Sequence, residues 1–174
     1  MNYRKAVLLL AAIPLLAAPL VARAYAMDKD PGREFLADLR GLHEVPVTLS
    51  GAQGTLALTI NDTDTSVHFL LEYSGVQTAV GAAHIHVAQP NVNGGVTVFF
   101  CGGGGRPACP VNGTVEGDFT AADVIALVTQ QLEVNNLPKL LAAIRAGRTY
   151  GNVHTTTSPG GEIRGQILPD DVKK

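Results

Sequence analysis

Thr55-Leu56-Ala57-Leu58-Thr59-Ile60, then Asn61-Asp62-Thr63-Asp64, then Val67-His68-Phe69-Leu70-Leu71-Glu72-Tyr73: two alternating runs and the polar tetrapeptide between them decide the fold class. In an extended chain successive side chains point to opposite faces, so a period of two gives each run one apolar and one mixed face. Asn and Asp close turns because their short side chains hydrogen-bond to nearby backbone and tolerate left-handed dihedrals. The stretch predicts a β-hairpin with its turn at 61–64.

The same pattern recurs on both sides. Phe35-Leu36-Ala37-Asp38-Leu39 predicts a strand leading into Glu44-Val45-Pro46, and further strands are expected at Ala82–Val87, Val96–Phe100, Gly113–Phe119, Thr149–His154 and Glu162–Ile167. Many short strands divided by turn clusters describe an all-β chain, an antiparallel sandwich or barrel. One region departs from this. Thr120-Ala121-Ala122-Asp123 reads as a capping box, with Val124, Leu127, Val128 and Leu132 at helical spacing behind it. A second short helix is expected from Leu137 to Ala146, stopped by Gly147. One or two short helices are therefore inserted near 120–146.

The chain has 174 residues, 46% hydrophobic, 16% charged and 5% aromatic, with 19 Gly and no Trp. That suits one domain and excludes collagen, a coiled coil and a mostly disordered chain. A formal charge of −2 leaves no basic footprint for nucleic acid.

Arg4 and Lys5 precede an apolar run, Ala6 to Ala22, broken by Pro14 and Pro19, and Ala22/Ala24 and Ala24/Ala26 each fit a small-residue cleavage site. Residues 1–26 read as a secretory signal peptide, cut after Ala24 or Ala26. The rival is a retained anchor, against which stand two prolines and a short apolar core. Cutting after Ala26 removes three of the 13 basic residues and none of the 15 acidic ones, which moves the formal charge from −2 to −5. No later segment is long and apolar enough to span a membrane, and no lipobox cysteine follows the run. The protein is expected to be exported, to periplasm, cell surface or medium. Residues 27–33 read as a linker, 34–168 as the domain and 169–174 as a tail.

Cys101 and Cys109 are the two cysteines. In an oxidising compartment they read as one disulfide that clips the Gly102–Gly105 loop. The alternative, a thiolate metal site, wants more ligands nearby.

Of the five histidines, His43, His68, His84, His86 and His154, the pair in His84-Ile85-His86 is the most informative. Alternation puts both imidazoles on one face, opposite Ala83, Ile85 and Val87, and the apolar trio belongs to the core. Residues two apart on a strand are about 7 Å apart, close enough to share an ion if a neighbouring strand adds a ligand. In Asn152-Val153-His154 the same parity sends His154 outward, and Glu162 is outward from Ile163. A metal site of His84, His86, His154 and Glu162 on the outer face follows if the strands are neighbours, and imidazole suits copper or zinc. The competing reading is an ordinary polar face whose histidines hold nothing. His43 and His68 read as hydrogen-bonded structural residues. No serine lies in a nucleophile elbow, and Gly102–Gly105 lacks the Lys-Ser/Thr of a phosphate loop, so no catalytic residue is assigned.

His84-Ile85-His86 and Tyr150-Gly151-Asn152-Val153-His154-Thr155…Pro159-Gly160-Gly161-Glu162-Ile163-Arg164-Gly165-Gln166-Ile167, with Leu39…Glu44-Val45-Pro46 and Gly54, resemble the CHRD domain named from chordin. The resemblance covers about residues 34–168. It implies an immunoglobulin-like, Greek-key β-sandwich serving as an extracellular binding or structural module, and it transfers no mechanism. The chain lacks chordin's Cys-rich repeats, so growth-factor antagonism is not implied. A weaker similarity is to copper/zinc superoxide dismutases, which also carry an H-x-H pair on a sandwich strand; five histidines cannot supply their two-metal site. Three readings follow: a module with a copper or zinc site, a mononuclear copper redox enzyme, or a metal-free interaction module. Partner and oligomeric state are not encoded in any motif.

Overall fold

Leu56 faces Leu71, Leu58 faces Phe69 and Ile60 faces Val67 where β2 (Gln53–Ile60) and β3 (Ser66–Ser74) pair antiparallel. All six side chains are buried, as the alternation requires. The turn closes as its chemistry predicts. Asn61 Oδ1 accepts from the backbone N–H groups of Thr65 and Ser66 at 2.9 and 3.2 Å, and Asp64 takes a positive φ of 56°.

This computed structural model describes residues 32–170. The expected signal peptide, nearly all of the linker and residues 171–174 of the tail lie outside the described residues. Among the described residues no helix is long and apolar enough to cross a membrane.

The other strands are β1 (Glu34–Arg40), β4 (Val80–Val87), β5 (Gly95–Cys101), β6 (Gly113–Thr120), β7 (Thr149–Thr155), β8 (Ile163–Gln166) and the short β9 (Leu168–Pro169). They form one antiparallel sheet in the order β5-β4-β7-β8-β1-β2-β3-β6, with β9 beside β1. The end strands β5 and β6 approach each other, so the sheet is nearly closed as a barrel or sandwich. The core spans the interior: the Phe69 and Phe100 rings, on β3 and β5, meet at 4.6 Å. Burying a side chain of this kind is worth roughly 1.5–3 kcal/mol.

The connection from β5 to β6 helps close the gap. Cys101 and Cys109 are bonded in it, with Cα atoms 5.0 Å apart. Arg106 donates to the Asp118 carbonyl and to Asp123 Oδ1, and its guanidinium sits 5.7 Å from the Phe69 ring centre.

The helical expectation divides. Asn136 caps α1 (Leu137–Arg145) by accepting from Lys139 N–H at 3.1 Å, and the helix buries Leu137, Leu140, Leu141 and Ile144. Gly147 follows its end with a φ of 64°. The expected helix over 124–132 does not form. The Thr120–Asp123 capping box is present but opens only a 3₁₀ turn at Ala121–Asp123; a second such turn spans Val128–Gln130. Strand β5 takes the backbone that a helix would need: Ile125 N–H donates to the Thr97 carbonyl at 2.8 Å. Val124 and Leu132 still reach the core, while Val128 is left exposed.

Candidate metal centre

β4 and β7 are hydrogen-bonded neighbours, with His84 opposite Asn152, Ala82 opposite His154 and His86 opposite Tyr150. Parity therefore places His84, His86, Tyr150, Asn152 and His154 on one face, as the alternation predicts. Most of that face is covered, with His154 half-buried at its edge. His84 is 6% exposed, His86 7% and Asn152 3%. The connections from β1 to β2 and from β4 to β5 cross it. Arg164 donates to Asn93 Oδ1 and the Val92 carbonyl, Asn93 Nδ2 donates to the Val45 carbonyl, and Thr48 Oγ1 donates to the Glu162 carbonyl. The expectation of an outer, water-facing His cluster is corrected accordingly: the cluster forms, but under cover.

The ring centroids of His84 and His86 are 4.6 Å apart, those of His84 and His154 4.4 Å, and those of His86 and His154 5.9 Å. One ring nitrogen from each of the three lies within 4.8 Å of the other two. His86 Nδ1 donates to the Gly94 carbonyl and His154 Nδ1 to the Pro159 carbonyl, both at 2.9 Å. A carbonyl only accepts, so each Nδ1 carries the proton and each Nε2 keeps its lone pair. Those two Nε2 atoms, and His84 Nδ1, are buried without a hydrogen-bond partner among the described residues. Three unpartnered imidazole nitrogens in one small volume are the donor set a transition metal takes, and carbonyl bonds to the far nitrogens are how metal-binding imidazoles are oriented.

Electrostatics keep the lone pairs free. Burial, with the other two imidazoles beside it, pushes His84 down to about 2. Burial, His154 and Arg164 push His86 down to about 4 against the opposing Gly94 carbonyl. Burial lowers His154 as well. All three rings are neutral near pH 7.

Glu162 does not join them. Its buried carboxylate accepts from Ser50 Oγ at 2.6 Å, Gln77 N–H at 3.1 Å and Thr155 Oγ1 at 2.6 Å. His43 Nδ1 hydrogen-bonds the Asp38 carbonyl, and His68 meets Asp118 and Glu116 at 3.1 and 3.3 Å on the exposed side of β3. Neither approaches the cluster, in keeping with their structural reading.

The CHRD domain family model matches residues 35–167. The chain belongs to the CHRD domain family. No curated protein matches it at a significant level. The matched region takes in every residue of the histidine cluster and the shell around it.

Within this CHRD domain the shell contains residues that sequence reasoning did not weigh. Tyr150 lies flat on His86, and the Phe99 ring stands edge-on to His84 with centroids 5.0 Å apart. Arg164 places its guanidinium 3.4 Å from the centre of the Tyr150 ring. Glu44 Oε1 accepts from Asn152 Nδ2, which also donates to the Ile163 carbonyl at 2.9 Å. The alternation that sends His154 outward from Val153 extends along the same strands to Tyr150, Asn152 and Arg164, which share the histidines' face. Too many polar and aromatic groups gather there for a plain solvated surface, and that was the available signal.

Proposed function

We propose that this CHRD domain is an exported binding or structural module that holds one copper or zinc ion at His84, His86 and His154. The observation that carries the reading is that one ring nitrogen from each of His84, His86 and His154 lies within 4.8 Å of the other two, and that each ring has a buried nitrogen, His84 Nδ1, His86 Nε2 and His154 Nε2, without a hydrogen-bond partner among the described residues. An unsatisfied buried polar atom costs about 1–3 kcal/mol, and a bound ion satisfies all three at once. Nitrogens 2.0–2.1 Å from one ion stand roughly 3.3–3.6 Å apart, inside the 4.8 Å within which the three ring nitrogens already lie.

Export is supported by the Cys101–Cys109 bond, which belongs to oxidising compartments, and by the cleavage pattern before Met27. The immunoglobulin-like arrangement that the family resemblance implies is part of the same reading. Supporting it, Phe69 of β3 meets Phe100 of β5, and a Cβ on Gly151 of β7 would touch Leu56 of β2 at 2.7 Å, so the two halves of the strand path face each other.

Titration calorimetry with Zn(II) and Cu(II) on the purified protein tests the site. His84→Ala, His86→Ala and His154→Ala should each weaken binding by about tenfold or more, with His43→Ala and His68→Ala unchanged. Equal, weak binding across all five variants would remove the metal site and leave an interaction module.

A further inference from the structure

The donor set is neutral, and its surroundings make the charge of the ion matter. All three ligand atoms are imidazole nitrogens, each with under 1 Å² of exposed surface. The rings of Phe99 and Tyr150 wall the cluster. The Glu162 carboxylate is committed to Ser50, Gln77 and Thr155, and the buried Glu44 carboxylate is turned to Asn152. The nearest buried cation, Arg164, is separated from His86 by the Tyr150 ring and adds a positive field.

We infer that the site selects cuprous copper, Cu(I), over Cu(II) and Zn(II). This rests on the metal-site reading above and narrows it to one ion. The cost of taking an ion out of water rises with the square of its charge, and among the described residues no anionic ligand joins the triad to offset it for a dication. Coordination number points the same way. Cu(II) seeks a tetragonal set of four or more donors, and Zn(II) on three histidines keeps a water in its fourth position. Three occluded nitrogens complete a shell only for an ion content with three ligands. Arg164 acts as a selectivity residue: its charge weighs more heavily on a dication than on a monocation.

The experiment uses the whole protein under anaerobic conditions. Cu(I) is titrated by competition with a chromophoric cuprous chelator, and Cu(II) and Zn(II) are titrated separately by calorimetry, on wild type and on the His84→Ala/His86→Ala/His154→Ala variant. Cu(I) should bind more tightly than Cu(II) by about a hundred-fold or more, equivalent to raising the one-electron copper potential above that of the aqueous ion by about 118 mV. Arg164→Met should narrow the Cu(I)/Cu(II) ratio and Arg164→Lys should keep it; if either fails to fold, the wild-type ratio decides alone. Cu(II) or Zn(II) binding as tightly as Cu(I), lost in the triple variant, overturns the selectivity and leaves the metal site standing. Binding of all three ions that is the same in wild type and triple variant overturns both.

Discussion

The Tyr150 ring lies on the His86 imidazole with centroids 4.5 Å apart and planes within 3° of parallel. On its other face sits the Arg164 guanidinium, and its hydroxyl accepts from Gly94 N–H at 3.2 Å. Gly94 also supplies the carbonyl that fixes the His86 tautomer. One tyrosine thus holds the flat face of a candidate ligand and the loop that orients its lone pair. Burial raises the Tyr150 phenol above its ordinary range, so it stays neutral there.

Removing that stack should loosen His86 without emptying the hydrophobic core, because Tyr150 faces the covered outer side. Tyr150→Leu is expected to weaken metal binding by about ten- to a hundred-fold, in the range of lost orienting partners. Tyr150→Phe keeps the ring and loses only the Gly94 bond, so its metal affinity should stay near wild type, at a cost to stability of about 1 kcal/mol. Calorimetry paired with urea melts separates the two. Equal affinities in both variants would show that the stack does not position His86.

Alternation alone made the strands legible, and with them the shared face of His84, His86 and His154. It could not say what covers that face. Coverage comes from contacts such as Asn93 with Val45 and Ser50 with Glu162, between segments far apart in sequence, for which a period of two has no signal. The helix expected over 124–132 fails for a related reason: Ile125 N–H finds the Thr97 carbonyl of β5, and a tertiary bond outweighs local spacing. Glu162 was sent to the correct side by parity, but Ser50, Gln77 and Thr155, which take up its carboxylate, lie on other elements.

Glu44 gives a pH signature. Burial pushes its carboxyl from 4.5 up to about 7, only partly opposed by the Asn152 bond and the Arg164 charge. The folded state therefore holds this proton more tightly than the unfolded state. Its contribution to stability is full below about 4.5 and is lost as pH rises through about 7. Glu44→Gln, which can still accept from Asn152, should gain on wild type across that window. Urea midpoints measured from pH 4.5 to 8.5 check it; a difference that does not change with pH would mean the carboxyl titrates normally.

The Cys101–Cys109 bond closes a short loop, with a sequence separation of 8. Chain entropy assigns such a loop about 2.5 kcal/mol of stability. Cys101→Ser with Cys109→Ser should lower the unfolding free energy by about that amount, with the β-rich circular dichroism spectrum kept. Denaturation of the double variant beside wild type is the measurement, and thiol titration of unreduced wild type should find no free cysteine. Two titratable thiols in protein taken from the exported fraction would end the disulfide reading.

The seam between β8 and β1 is the narrowest part of the sheet, with Arg40 opposite Arg164 as its one registered pair. Gly165 lies beside that pair, and a Cβ there would fall 2.4 Å from the Asp38 carbonyl oxygen and 2.7 Å from its carbon. Those are backbone atoms of β1, fixed by pairing with β2 across Asp38 and Thr55. At Gly151 a Cβ would instead meet the Leu56 side-chain tip at 2.7 Å, an atom that a rotamer change can move. Both glycines also face each other across β7 and β8, so substitution at either perturbs the same ladder. The obstacle is what differs. Gly165→Ala should cost about 3 kcal/mol or more and Gly151→Ala about 1 kcal/mol. Because β8 carries Arg164 and flanks β7, Gly165→Ala should also weaken metal binding, whereas Gly151→Ala should leave it near wild type. Urea unfolding and metal titration on the two variants test both halves. Equal destabilisation by the two alanines would mean that the β1 backbone at Asp38 yields as readily as the Leu56 side chain.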